Sequence, residues 1–142
     1  MATYNKYQQF IEDVFKGVHN FTSDATSTIT VALSNTAGDA DATKATLSQI
    51  TQISYANLSS RVVTGVTAEH TTGTVHLTGT DLVLTASGAV GPFRYIILYN
   101  DDPTSPADPL ICWYDRGAGA EVTMAAGDTF TVDFPTDILT AS

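Results

Sequence analysis

The stretch GPFRYIILYNDDPTSPADPLICWYDRG, residues 91–117, consists of two apolar segments joined by an acidic loop that contains three prolines. Segments of this length that are rich in aromatic and β-branched residues are typical of β-strands, so the stretch predicts an antiparallel hairpin. Neither segment alternates apolar with polar residues, which predicts that both faces of the hairpin are apolar. A two-layer sandwich covers only the inner face of each sheet, so the outer face of this hairpin needs a further cover.

Strict alternation divides each strand of this hairpin into two sets of side chains. On the first strand it separates Phe93, Tyr95, Ile97 and Tyr99 from Ile96 and Leu98, and on the second it separates Ile111 and Trp113 from Leu110, Cys112 and Tyr114. Burial of one such side chain contributes about 1.5–3 kcal/mol, so an uncovered face would forfeit much of the stability of a domain. We expect an N-terminal helix to cover most of the outer face and contact with another subunit to cover the remainder.

The N-terminal region has the periodicity of an amphipathic helix. Polar residues occupy one side of this helical pattern. Apolar residues recur at helical spacing on the other side, at Tyr7, Phe10, Ile11, Val14 and Val18. This pattern predicts one α-helix over residues 4–16, with Thr3 as its cap and Gly17 as its end.

The rest of the chain has the pattern of short strands. In STITVALS, Ile29, Val31 and Leu33 alternate with polar or small residues, which predicts a strand with one wet face. Residues 35–44 predict a loop, and TLSQITQIS suits a short helix or an irregular strand equally well. Further strands are predicted at RVVTGVT, TVHLTG, DLVLTAS, EVTM and DTFTVDF. We therefore expect a mainly β, antiparallel β-sandwich of jelly-roll type with one N-terminal helix, as a single domain over residues 1–142 with a helical segment at 1–20 and the sandwich at 27–142.

The charge of the chain argues against several partners. Six Lys and Arg residues stand against 15 Asp and Glu residues, and the formal net charge is −9. Because the cations form no cluster, we expect no binding to nucleic acid or to an anionic membrane. No segment approaches the roughly 20 apolar residues of a membrane span or has the pattern of a signal peptide, so we expect synthesis in a cytoplasm.

Few residues suggest chemistry. His70 and His76 would have to converge across a hairpin to hold a metal, and surface or capping roles explain them better. Asp101, Asp102 and Asp108 offer carboxylates for calcium, yet their spacing matches no calcium loop, and a solvated acidic loop is the preferred interpretation.

No nucleophile, phosphate-binding or paired-carboxylate motif stands out, so we expect no catalytic residues, no cofactor and no enzyme activity. Four aromatic residues could stack sugars, namely Tyr95, Tyr99, Trp113 and Tyr114. Roles in the core or at an interface are the preferred explanation for them.

Several segments together resemble a known group of proteins. The segments TYNKYQQFIEDVFKGVHN, STITVALSNT, GPFRYIILYND, DPLICWYDRG and GDTFTVDF are similar to small structural proteins encoded by tailed bacteriophages. Among these, a β-sandwich of this size resembles a capsid decoration or cement protein. The chain departs from the pattern at RVVTGVTAEHTT, residues 61–72, where we expect no contact residue to be shared.

The resemblance implies a non-enzymatic role on the outer surface of a phage head, in a chain made in the bacterial cytoplasm. The implied partners are the major capsid protein, whose subunits the chain would bridge, and further copies of the chain, with a trimer favoured. The residues that we expect to mediate assembly are Tyr4, Tyr7 and Phe10 on the helix and Asp101, Asp102 and Asp108 in the acidic loop. A tail or baseplate component and a carbohydrate-binding adhesion module are the alternatives.

Overall fold

A computed structural model describes residues 3–21 and 28–142. Over these residues the chain has one short α-helix, two 3₁₀ turns (Ala37–Asp39 and Leu47–Gln49) and eleven β-strands. The helix is α1 (Gln9–Phe15), and the strands are β1 (Tyr4–Lys6), β2 (Ile29–Ser34), β3 (Thr67–Thr71), β4 (Thr74–Thr78), β5 (Leu82–Thr85), β6 (Val90–Phe93), β7 (Tyr95–Asn100), β8 (Leu110–Asp115), β9 (Val122–Met124), β10 (Thr129–Val132) and β11 (Leu139–Ala141).

The strands form antiparallel sheets around one main apolar core. The largest sheet has the order β1-β8-β7-β2, and the smaller sheets are β5-β10, β6-β9 and β11-β4-β3. Side chains from all four sheets meet in the same buried cluster, with Leu33 and Leu98 of the large sheet packed among Leu77, Leu84 and Val132 of the small ones. The predicted mainly β fold, with antiparallel sheets consistent with a β-sandwich and a helix near the N-terminus, is confirmed.

Apart from Asp115, the residues of β2, β7 and β8 are buried on both faces of the large sheet, as the sequence of the hairpin predicts, whereas the edge strand β1 is partly exposed. A second cluster lies on the outer face and includes Ile97, Tyr99 and Trp113. The prediction that the helix covers this face is wrong. The cover is the segment of residues 40–50, which contributes Ala40, Ala42, Leu47 and Ile50, together with Tyr7 from the turn before α1.

The burial of β2 corrects a second expectation. All six residues of β2 are buried, so this strand has no wet face. One side faces the main core, and the other lies under the covering segment, where Ser34 Oγ donates a hydrogen bond to Asp39 Oδ2 at 2.5 Å. Ser34 is therefore buried with a hydrogen-bond partner, whereas the buried hydroxyl of Thr30 has none among the described residues.

A β-bulge changes the alternation of β8. Leu98 is opposite Cys112 and Tyr99 is opposite Leu110, which leaves Ile111 as an extra residue. Leu110 therefore joins Trp113 in the outer cluster, whereas Ile111 joins the main core with Cys112 and Tyr114. Strict alternation grouped Ile111 with Trp113, and Leu110 with Cys112 and Tyr114. That grouping is wrong because a bulge inserts one residue into the pattern.

The N-terminal helix is shorter than predicted. Residues 4–6 form β1, which pairs with β8, and the helix begins only at Gln9. The residue that precedes the helix is Gln8 and not Thr3, and its side chain makes no capping hydrogen bond. The predicted end is confirmed, because Gly17 adopts φ +74, a left-handed conformation that favours glycine after a helix.

Other boundaries also differ from the prediction. RVVTGVT forms an isolated bridge between Val62 and Thr30 and no regular strand before residue 67. The undecided TLSQITQIS stretch contains the short 3₁₀ turn Leu47–Gln49, closed by a capping box between Thr46 and Gln49. β11, which the sequence does not predict, pairs with β4.

Asp39 fastens the covering segment to the large sheet. Its buried carboxylate accepts hydrogen bonds from Ser34 Oγ, from the backbone N–H of Thr51 at 2.9 Å and from Lys44 Nζ at 2.6 Å. Its backbone carbonyl accepts a hydrogen bond from the Tyr7 hydroxyl at 3.1 Å. One residue thus connects β2, both ends of the covering segment and the turn before α1.

We predict that Asp39→Ala lowers the free energy of unfolding by about 3 kcal/mol, because it leaves the buried hydroxyl of Ser34 and the backbone N–H of Thr51 without this acceptor and removes the charged partner of Lys44. Urea unfolding followed by Trp113 fluorescence measures the change. Asp41→Ala is the matched control, because Asp41 is exposed and its carboxylate accepts its hydrogen bonds from Thr43 in the same turn. Equal losses of stability in the two variants would contradict the proposed role of Asp39.

Candidate functional site

An apolar cleft opens between α1 and the β3–β4 hairpin. Its volume is about 450 Å³. Helix α1 contributes Phe10, Ile11, Val14 and Phe15 to one wall, and Ala68, Val75 and Leu77 belong to the opposite wall. We name this feature the α1 cleft.

The register of the small sheet explains why the cleft is apolar. Leu77 lies opposite Ala68 on one side and Leu139 on the other, and Val75 lies opposite Ala141, with the polar His70 on its other side outside the lining of the cleft. Residues opposite one another share a face, so these side chains form a row on the inner face of the sheet. Leu77 and Leu139 are buried in the main core, whereas Val75 is 42% exposed. The β3–β4 hairpin therefore extends beyond the core, and part of its apolar inner face is exposed.

Phe15 is the most exposed large apolar residue at this end of the molecule. It is 88% exposed at the last position of α1, and the neighbouring Val14 is 40% exposed. Single exposed apolar residues are ordinary, but an exposed phenylalanine beside an open apolar cleft forms a contiguous patch of the kind that marks interaction sites. The arrangement can hold an apolar side chain of a partner.

The three aromatic residues expected to mediate assembly lie mainly inside the chain. Tyr7 is 1% exposed and packs on Trp113 with a ring separation of 4.6 Å, and Phe10 is 3% exposed in the main core. Tyr4 is half-buried, and its hydroxyl donates to the carbonyl of Thr140 at 3.1 Å. Tyr7 therefore presents almost no surface to a partner, and Phe10 lies at the inner wall of the α1 cleft.

The acidic loop lies at the surface, as expected. Asp101 and Asp102 are exposed, and Asp108 is partly buried. Burial, followed by the neighbouring charge of Asp101 and a hydrogen bond with it, raises the pKa of Asp108. Two carboxylates thus share one region of negative potential. Within residues 3–21 and 28–142, no group of three or more His, Cys, Asp or Glu residues is placed to hold a metal ion.

The other residues considered for chemistry have structural roles. His76 pairs across the hairpin with Glu69, and His70 follows Glu69, so the two histidines point to opposite faces of the sheet. Burial raises the pKa of the Cys112 thiol, which opposes nucleophilic chemistry. The rings considered for sugar stacking are buried and offer no exposed stacking surface: Tyr95, Tyr99, Trp113 and Tyr114. In the described part of the chain, no helix is long and apolar enough to cross a membrane.

A buried polar group lies behind α1 that the sequence analysis missed. His19 is 7% exposed, and its Nδ1 lies 3.1 Å from the amide nitrogen of Asn100. Desolvation by burial lowers the pKa of His19 to about 4, against a smaller opposing effect of Asp13. Asp13 itself is 3% exposed, although the helical pattern places it on the polar side. A histidine just after a helical segment is the only sequence signal that this group offers.

No protein-family model matches the chain, and neither a curated protein nor a solved structure shows significant similarity to it.

We predict that Phe15→Ser changes the free energy of unfolding by less than about 0.5 kcal/mol, because the ring is almost fully exposed. Phe10→Ala, only five residues away, removes a core ring and should cost about 3–5 kcal/mol. Chemical denaturation of both variants measures the difference. A loss above about 2 kcal/mol for Phe15→Ser would show that the ring is buried in solution and is no part of a docking surface.

We predict that the stability of the chain falls by about 3 kcal/mol more between pH 7.5 and pH 4 than that of a His19→Asn variant. The folded-state pKa of His19 lies below its value in the unfolded chain, so the unfolded state takes up a proton first. The stabilising effect of the neutral ring is present above about pH 6.5 and is lost as the pH falls towards 4.

Parallel urea titrations of the two proteins measure this difference, because the carboxylates that also titrate in this range are common to both. NMR titration of the imidazole gives the folded-state pKa directly. A folded-state pKa near 6.5 would contradict the burial of His19.

Proposed function

We propose that the chain is a non-enzymatic structural protein of a tailed bacteriophage, and that it decorates the outside of the head by bridging major capsid subunits. The observation that carries the proposal is the α1 cleft with Phe15 beside it. The resemblance of the hairpin and N-terminal segments to small virion proteins supplies the class of particle. The resemblance also favours three copies around a threefold position.

The distribution of apolar surface supports a docking role. The large sheet has its outer face covered by residues 40–50 and Tyr7, so a partner is not needed to bury it. Apolar surface remains at the α1 cleft, where Val14, Phe15 and Val75 are each at least 40% exposed. A decoration protein attaches in many copies, so a small apolar anchor at each contact is sufficient because multivalency raises the overall affinity.

The charge of the chain favours a different protein, and not a second copy, as the occupant of the cleft. At a net charge of −9, the chain attracts a partner with basic residues around an apolar anchor more strongly than it attracts a second acidic copy at the cleft. The same charge suits the outer surface of a head better than an interior filled with DNA. We propose the major capsid protein as the occupant, with the exposed Asp101 and Asp102 in the acidic loop as charged contacts.

A tail or baseplate location is the second candidate. A compact sandwich with a docking cleft suits a tail structure equally well on physical grounds, so the location on the particle discriminates between the two. A carbohydrate-binding role has less support, because the aromatic rings that would stack sugars are buried.

We predict that immunogold labelling, with an antibody raised against the purified chain, labels the heads of particles from the phage lysate. Heads depleted of the chain should rebind the wild-type protein in a sedimentation assay. Phe15→Ser should weaken rebinding at least tenfold, because an apolar anchor at an interface contributes more than about 1.4 kcal/mol.

Val83→Ser is the matched control, because Val83 is 52% exposed on β5 and does not line the cleft. It should rebind like the wild type. Gold on the tail would support the tail or baseplate alternative, and the absence of gold from all particles would refute a virion role. Equal rebinding of Phe15→Ser and Val83→Ser would remove the cleft from the proposal.

A further inference from the structure

A second cavity lies on the other side of α1 from the cleft, between the helix and the acidic loop. Its volume is about 490 Å³. Asp13 of the helix lines it, and Val18, Ala45 and Pro106 contribute apolar side chains. We name this cavity the Asp13 pocket.

The carboxylate of Asp13 is only partly satisfied. Oδ1 accepts a hydrogen bond from Gln9 Nε2 at 3.1 Å. Oδ2 is buried and has no hydrogen-bond partner among residues 3–21 and 28–142. A buried acceptor that is left without a donor costs about 1–3 kcal/mol, and more when it is charged, so a donor that reaches Oδ2 is strongly favoured.

The surroundings of the pocket select a cation. Ser105 and Pro106 belong to the acidic loop and line the pocket, so Asp101 and Asp108 lie in the same loop as its wall. Burial is the first cause of the raised pKa of Asp108 and the charge of Asp101 is the second, so these two carboxylates lie close to one another in the loop. Focusing of negative potential in a concave site increases the local concentration of cations.

The chain carries one competing cation in the pocket. Lys16 also lines it, but its ammonium group is paired with Glu12 on the exposed side of the helix. The pair is local, between residues four apart on the helix, and leaves Asp13 Oδ2 without a donor. Gln9 is the side chain that must move aside or share the carboxylate when a ligand enters, because its amide already contacts Oδ1.

We propose that the Asp13 pocket binds an alkylammonium group, with the ammonium on the Asp13 carboxylate and the methylenes against Val18, Ala45 and Pro106. A lysine side chain of a docking partner has this chemistry. The assignment of the lysine to the capsid partner rests on the proposed function. The pocket itself is a property of the isolated chain and is tested there.

The test is an NMR titration of the ¹⁵N-labelled full chain with n-butylammonium chloride at constant ionic strength. We expect saturable shifts at Gln9, Asp13, Ala45 and Thr46. Asp13→Asn should weaken binding at least tenfold, because it replaces a charge-assisted hydrogen bond with a neutral one. Asp133→Asn removes an exposed carboxylate elsewhere and should bind like the wild type. Butan-1-ol, the neutral analogue of similar shape, should bind at least tenfold more weakly.

Ala45→Leu fills the pocket without changing Asp13 and should abolish the saturable shifts, which keeps the test decisive even if Asp13→Asn does not fold. Shifts that stay linear, that match those with butan-1-ol or that persist in Ala45→Leu would overturn the proposal. A double-mutant cycle with a larger coupling between Asp13 and Lys16 than between Glu12 and Lys16 would also overturn it, because Lys16 would then fill the site.

The outcomes separate this inference from the proposed function. If the heads are labelled but butylammonium does not bind, only the Asp13 pocket proposal fails. If butylammonium binds but no particle is labelled, the decoration role fails and the pocket stands as an ammonium site.

Discussion

The structure depends on one requirement, which is that the large sheet is apolar on both faces and must be covered twice. The main core covers the inner face, and the outer face is closed by residues 40–50 and Tyr7. The covering segment has little regular structure of its own, so its position depends on the buried carboxylate of Asp39 and on pairing of its backbone with β8, where the N–H of Leu110 donates to the carbonyl of Ala45 at 2.9 Å. Because the chain supplies this cover itself, the exposed apolar residues at the α1 cleft are not needed to complete the sheet.

The parts of the fold that follow from local pattern could be predicted from the sequence, and the parts that follow from tertiary contact could not. The hairpin of β7 and β8 and the strand ending in Val132 have long apolar or alternating patterns, and both are present. The covering segment is made of small and polar residues. Its position depends on the hydrogen bonds of Asp39 with Ser34, Lys44 and Thr51, and a periodic sequence pattern does not predict such bonds. The bulge at Ile111 could not be predicted either, because assigning side chains to faces by strict alternation assumes a repeat of two residues without insertions.

The candidate site was less predictable than the fold for a related reason. Helical spacing correctly identified Phe10 as apolar-facing, but it cannot tell whether the apolar side meets the core, the sheet or an open cleft. Phe15 is exposed and Asp13 is buried, the reverse of what their residue types predict. Both results come from the position of α1 between two flanking elements: the β3–β4 hairpin stands away from Phe15, and the acidic loop with residues 45–46 closes over Asp13.

Helix α1 is thus the element through which the two candidate binding features are related. A helix of seven residues is too short to be stable alone, so its position is set by contacts such as Phe10 in the main core and the hydrogen bond from the N–H of Val18 to the carbonyl of Asp13 at 2.9 Å. The cleft and the pocket lie on its two sides, which means that a partner lying across α1 meets an apolar site and a carboxylate within one short helix. The apolar contact would supply burial without direction, and the buried carboxylate would fix the orientation, because a charged group that is left unpaired is costly. Specificity at this surface would therefore depend more on Asp13 than on the larger and more exposed Phe15.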